Sequence, residues 1–261
     1  MKKIIKDIKK FWSYIIYQTK AEIKSEVTES HLGILWLFLE PISFMLIYAF
    51  IGEIVFNKTT EYFPIFIFSG LIFWNFFNMV LKKSTKLVKS NKEIISKIYI
   101  PKYIFLIICV FINLYKLIIT FGLLIIFMLF YGVPISLNVL WTIPIIINMS
   151  ILTFGISLFF MHYGVIITDL VNITNICLKF MFYLTGIFYS IKDSVPAPYN
   201  TIIYSLNPIA FFITEFRNCF IYSTTINLPL FMIWLAIGST LSIVGLKTII
   251  KHENNYIKVM R

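Results

Sequence analysis

Along the N-terminal stretch, apolar side chains fall at Ile4, Ile5, Ile8, Phe11, Trp12, Ile15, Ile16 and Ile23, while Lys2, Lys6, Lys9 and Lys10 take the other side of the same helical period. A helix with one apolar and one basic face lies flat on a membrane surface. An interfacial helix is therefore predicted within residues 1–30. The apolar run at 11–17 is too short for the core of a secretory signal. Beyond residue 30 the pattern becomes continuously apolar. Six stretches, 31–56, 62–81, 103–131, 139–167, 173–191 and 228–250, reach or approach the ~20 residues that a helix needs to cross the bilayer.

Two segments break this rhythm. Residues 194–225 hold apolar stretches at 199–206 and 209–222, divided by Asn207-Pro208, and each is too short to cross about 30 Å of hydrocarbon. Proline interrupts the hydrogen-bond ladder of a preceding helix. We read the pair as a re-entrant helical hairpin dipping into the outer leaflet; an interfacial loop on the outer surface is the alternative. The polar stretch 82–102 carries Leu87, Val88, Ile94, Ile95 and Ile98 at helical spacing among lysines, which predicts a short amphipathic helix ending at Pro101. Its apolar side suits a protein partner or a lipid surface equally.

Composition fixes the class. Only 13% of the 261 residues are charged and 59% are hydrophobic, with a mean hydropathy of +0.86, against roughly 25% charged residues in a soluble domain. A soluble fold is excluded. No extramembrane stretch reaches the ~50 residues of a separate domain, so residues 1–261 form one transmembrane domain: all-α, six transmembrane helices, an amphipathic interface helix and a re-entrant hairpin before the last span. The net charge is +11, and 18 of the 23 Lys and Arg lie in residues 1–30, 82–102 and after 246. Such an excess suits nucleic acid or an anionic membrane face; the hydropathy selects the membrane. The intervening loops are poor in Lys and Arg, which places both termini in the cytoplasm.

Catalytic and metal patterns are missing. Cys109, Cys177 and Cys219 have no metal spacing and read as small buried hydrophobes, and His31, His162 and His252 read as boundary or surface residues. No GxSxG occurs. No glycine is followed directly by lysine, so a GxxxxGK[ST] phosphate loop is absent; if ATP drives this protein, another chain binds it. Ionisable groups inside apolar spans cost about 2.5–3.5 kcal/mol at a helix centre and mark candidate functional positions. Glu40, next to Pro41, suits a polar cavity where the first span kinks. Glu53 and Lys116 suit helix ends, and Lys179 suits either a lipid phosphate or snorkelling. Aromatic clusters at 66–77 and 180–189 include Phe73, Trp74, Phe77, Phe182, Tyr183 and Tyr189. Such rings pack helices, anchor them at interfaces, or pave a passage for flat sugar faces.

Ser30, Leu32, Gly33, Trp36 and Pro41 at the first span, Lys97 to Lys102 in the basic stretch, and Asn207, Pro208 and Arg217 before the last span form an ordered set that resembles the membrane permease of bacterial type-2 ABC exporters for polysaccharide, O-antigen and teichoic acid. Ser30, Leu32, Gly33 and Trp36, followed by Pro41, are similar to the family's motif at the first span. Lys97, Ile98 and Pro101-Lys102 resemble its basic residue and Pro-basic pair. Asp169 stands at the loop after the fourth span, 185–189 resembles the aromatic end of the fifth, and Asn207, Pro208 and Arg217 match the hairpin region. The chain departs from the family at Glu26-Val27-Thr28, where a basic-aromatic-basic cluster is common, at Thr168, where Arg is usual, and at Gly186 in place of Pro.

The resemblance implies a homodimer bound to two copies of a separate ATPase that holds ATP and Mg, with no cofactor in this chain. It implies a path along the dimer axis, a polyprenyl-diphosphate-linked glycopolymer as substrate, and a bacterial cytoplasmic membrane location. It makes the helix in 82–102 the coupling helix, with Ile94, Ile95, Lys97, Ile98 and Pro101 at the ATPase. Two competing readings are an exporter of drugs or small lipids and a membrane enzyme acting on lipid-linked sugars.

Overall fold

The computed structural model describes residues 2–28, 33, 35–55, 62–134 and 136–259. Among them there are helices and turns and no strand. Helix α1 (Lys2–Thr28) lies along α5 (Lys102–Tyr131). Lys6, Lys9 and Lys10 stay exposed, Ile15 is fully buried, and Trp12 meets Phe111 edge-on at 6.1 Å. Helix α2 (Leu35–Phe50) contains Pro41 and continues into a π turn at Ile51–Val55. The ring of Pro41 removes one bond from the ladder.

Helix α3 (Phe63–Ser90) is the axis of the molecule. It packs against α2, α5, α6 (Thr142–Ile166), α7 (Leu170–Leu184) and α10 (Pro208–Phe220). In its most apolar stretch 78% of residues are buried, against 17% in α11 (Leu228–Val259), so α3 is shielded by neighbours and α11 faces outward. α3 runs to Ser90, well into the basic loop predicted from residue 82. Lysine is a good helix former; Lys82, Lys83, Lys86 and Lys89 mark where the helix meets water without ending it. The short α4 (Lys92–Lys97) follows, and Pro101 caps α5.

α6 is held between α3 and α11 by glycines. A methyl group at Gly155 would stand 2.9 Å from Leu241 Cβ, and one at Gly238 would stand 3.0 Å from Leu152 Cα. Small residues let helices approach closely in lipid, where packing replaces the hydrophobic drive. A 3-10 turn at Leu137–Trp141 leads into α6. Helix α7 ends at Leu184, short of the predicted 191, because the chain turns at Gly186 with φ +67°. After α8 (Ile191–Ser194), α9 (Tyr199–Leu206) meets α10 at Asn207.

Among the described residues, four helical stretches are long and apolar enough to cross a membrane: Phe63–Ser90, Lys102–Tyr131, Leu137–Ile166 and Leu228–Glu253. Helices α2 and α7, with 16 and 15 residues, are shorter apolar helices. The chain is a multi-pass membrane protein.

Candidate functional site

Arg217 organises the hairpin. Asn207 Oδ1 accepts the N–H groups of Ile209 and Ala210 at 3.1 and 3.3 Å, starting α10 with Pro208 in its first turn. Asn207 Nδ2 donates to the carbonyl of Leu184 at 3.2 Å, tying this cap to the end of α7. Nearly three turns further on, Arg217 is 4% exposed. Its Nε donates to Phe66 O at 3.2 Å and to Ser69 Oγ at 3.3 Å. Nη1 donates to Gly186 O at 2.7 Å, and Nη2 donates to Phe66 O at 2.8 Å and Ile187 O at 3.0 Å. The guanidinium also lies 3.4 Å over the Phe66 ring.

A buried cation is tolerable only when its donors are satisfied, and here carbonyls, a hydroxyl and a ring do so without a carboxylate. Two glycines make the room. A methyl at Gly70 would sit 2.6 Å from Nη2, and the left-handed turn at Gly186 aims its carbonyl at Nη1. Arg217 thus locks α10, α3 and the turn after α7 together.

The segment between α3 and α5 has two sides. Ile95 is 4% exposed in a core shared with α1, α5, α6 and α11, Ile94 is half-buried and Pro101 is buried. Ile98 is 60% exposed beside exposed Lys97 and Tyr99. The side chain of Ile95, expected at the ATPase, packs inside this chain. Helical spacing places apolar residues on a face but does not say what covers it. Tyr99 OH donates to Glu253 Oε1 of α11 at 2.9 Å, and Tyr103 OH donates to Asp7 Oδ2 of α1 at 2.8 Å. Partial burial and the carboxylate of Glu253 push the Tyr99 phenol up to about 12, so it remains a donor at neutral pH.

A polar crevice opens where α1, α2, α3 and α5 converge. Glu26 Oε1 pairs with Lys83 at 3.1 Å and Oε2 with Lys116 at 2.5 Å. Burial raises the Glu26 pKa, and the two lysines more than offset it, leaving the carboxyl below the ordinary range. Lys116, read as a helix-end residue, is paired inside the assembly of helices. Glu40 and Lys116 line two adjoining cavities of about 100 and 220 Å³. Pro41 is buried in the first; Gly33 and Trp36, 52% exposed, line the second. Ser30, Leu32 and His31 lie outside the described residues.

The aromatic candidates divide in two. Phe73, Trp74 and Phe77 are core residues of α3, with Phe73 4.6 Å from the Phe216 ring and Trp74 5.4 Å from Phe182. Expected along the path, these three rings pack inside the single chain, because α3 has neighbours on nearly every side. Phe182 is half-buried, Tyr183 is 65% exposed, and half-buried Tyr189 donates to Tyr183 O at 2.9 Å.

Sequence reasoning missed several pairings. His162, read as a boundary residue, is buried, and its Nδ1 is 2.7 Å from Tyr256 OH. Cys177 is exposed, whereas Cys109 and Cys219 are buried. The Tyr99–Glu253, Tyr103–Asp7 and His162–Tyr256 pairs join residues 94 to 154 positions apart, and no local pattern signals them.

The comparison with known proteins agrees with this architecture. The chain is 28% identical over 247 residues to an O-antigen export system permease protein RfbA of Klebsiella pneumoniae, covering 94% of both chains. A second Klebsiella pneumoniae protein of that name is 30% identical over 247 residues, again 94% of both. One from Myxococcus xanthus is 24% identical over 223 residues, 84% of this chain and 85% of the relative. Residues 14–221 match the model of the ABC-2 type transporters, from α1 through the hairpin, and the chain belongs to the ABC-2 type transporter family.

Proposed function

We propose that this chain is the membrane-spanning permease of an ABC exporter that carries a polyprenyl-diphosphate-linked polysaccharide, of the O-antigen or teichoic acid kind, across the bacterial cytoplasmic membrane. The observation that carries this reading is the end-to-end likeness to O-antigen export permeases. The chain works as a homodimer with the path along the dimer axis. Its motor is a separate ATPase, two copies of which bind ATP and Mg, since this sequence has no phosphate loop. Helices α2 and α7 join the four long helices to make six spans, with both termini cytoplasmic by the distribution of lysine. The hairpin of α9 and α10 dips into the outer leaflet from the other side.

The geometry suits this division of labour. Lys97, Ile98 and Tyr99 present a basic and apolar surface to the ATPase. Behind it, Ile95 and the Tyr99–Glu253 bond fasten the same segment to the helices, so closure of the ATPase pair on ATP moves α3, α5 and α11 with it as a rigid unit. The crevice at Glu26, Glu40, Lys83 and Lys116 lies under the interfacial helix. Its lysines complement the substrate diphosphate as the lipid slides in from the cytoplasmic leaflet.

Depletion of the chain followed by chemical analysis of surface glycans tests the proposal. Loss of one glycopolymer, with lipid-linked polymer accumulating inside and an ATPase copurifying with the chain, is the expected result. Unchanged glycans with raised drug sensitivity would instead identify an exporter of drugs or small lipids.

A further inference from the structure

Helices α8, α9 and α10 and the turn that follows enclose a cavity of about 620 Å³ beside the first turns of α3. Sites for small molecules span roughly 300–1,000 Å³. Phe66, at its wall, and Ser90, which leads into the coupling segment, are 24 residues apart on α3, or about 36 Å at 1.5 Å per residue. The cavity is thus at the opposite end of α3 from the segment at 92–101.

Its lining selects a chemistry. Asn200 and Thr201 come from α9, and Thr214 and Asn218 from α10; each is neutral and both donates and accepts hydrogen bonds. The adjacent Lys192 and Asp193 of α8 cancel in charge, and the Arg217 guanidinium at the back is held by carbonyls. The Tyr204 ring supplies a flat apolar surface. Its OH and Asn218 Nδ2 both donate to buried Glu215 Oε1, at 2.7 and 3.2 Å, which fixes the α9–α10 wall before any ligand arrives. An inorganic anion would meet Asp193, and the one surplus cation, Arg217, already has its guanidinium engaged by the carbonyls of Phe66, Gly186 and Ile187. An acyl chain would strip water from the amides and hydroxyls without replacing their bonds. A neutral pyranose offers alternating donors and acceptors around a partly apolar face, and it satisfies both.

We propose that this cavity is a sugar-binding site, occupied by a neutral pyranose unit of the glycan on the extracytoplasmic side of the exporter. The identity of the ligand as cargo rests on the export reading above; the site itself rests on the lining.

The test uses the full chain in lipid nanodiscs, with saturation-transfer NMR of a panel of neutral methyl pyranosides of glucose, galactose, mannose and rhamnose. At least one should bind saturably, inorganic phosphate should not displace it, and the double variant Asn200→Ala/Thr214→Val should raise its Kd about tenfold through the loss of two or more hydrogen bonds. Neither side chain holds the Arg217 or Glu215 networks, so the variant should keep the parent's thermal unfolding; Asp193→Asn is a second variant with the same expectation. Binding by none of the panel, unchanged binding by both variants, or displacement by phosphate would overturn the site. If depletion of the chain strips surface glycan while no glycoside binds, the site falls and the export reading stands. Glycoside binding with glycans intact after depletion keeps the site and overturns the export reading.

Discussion

Arg217 binds three segments through one side chain, and its replacement separates charge from shape. Lysine keeps the cation but lacks the planar fork that reaches Phe66, Gly186 and Ile187 together. Arg217→Lys should therefore lower stability by about 3 kcal/mol or more, since hydrogen bonds to a charged group contribute roughly 1.5–3 kcal/mol each. Thermal unfolding of the purified chain measures it. Gly70→Ala intrudes on the same guanidinium, and the two changes should be less than additive in the double variant. Glu26 sets a pH dependence. Its carboxyl is depressed in the folded chain, so its contribution is present above the ordinary carboxylate range and is lost as pH falls through the lower folded value. Amide protection factors in the last turns of α1, taken relative to the intrinsic exchange rate at each pH, should fall on acidification in the parent and stay constant with pH in Glu26→Gln. Side chains about 40% exposed keep this effect small and sensitive to salt.

At the scale of elements, the segment after α3 turns buried Ile95 inward and exposed Ile98 outward, and under the export reading the outward face meets the ATPase. Ile98→Asp should abolish copurification of the ATPase while leaving the thermal unfolding of the isolated chain within about 0.5 kcal/mol, as for surface positions generally. Ile95→Asp should do the reverse damage, unfolding the chain through a carboxylate buried in the core. Tyr99→Phe removes one hydrogen bond and leaves buried Glu253 short of its partner; the ratio of polymer exported to ATP hydrolysed should fall while ATPase binding persists. The contact of α6 with α11 depends on a missing side chain. Gly155→Val should cost about 1–3 kcal/mol as an overpacking change, read by thermal unfolding.

For the whole molecule, the chain reads as one bundle around α3, with a basic end that carries the coupling segment and a polar cavity at the other. α11 is largely uncovered within one chain, and exposed Ile173, Ile176 and Phe180 continue along α7. Lipid and a second copy of the chain are the two partners that the export reading supplies for such faces. Cys177 gives direct access to this surface. A membrane-permeant maleimide should modify Cys177 well ahead of buried Cys109 and Cys219, as measured by mass spectrometry of the intact chain.

Hydropathy and charge determined what depends on single residues and their neighbours in sequence: the amphipathic N-terminal helix, the apolar stretches, the break at Asn207-Pro208 and the basic character of 82–102. These are local properties, because transfer to lipid, helix periodicity and proline geometry act over a few residues. Pro101 marked the start of α5, but the short helix before it ends at Lys97 and not at Pro101 as expected, and α3 runs past Lys82 to Ser90. Tertiary structure alone decided which apolar faces are covered. It placed Ile95, Phe73 and Trp74 inside and left Ile98 and Tyr183 outside, although the period marks them all alike. It also decided the partners of the buried polar groups, from Arg217 on the carbonyls of two distant turns to Glu26 between Lys83 and Lys116. Those pairings satisfy groups that lipid cannot, and they join residues whose separation along the chain leaves no trace in any local pattern.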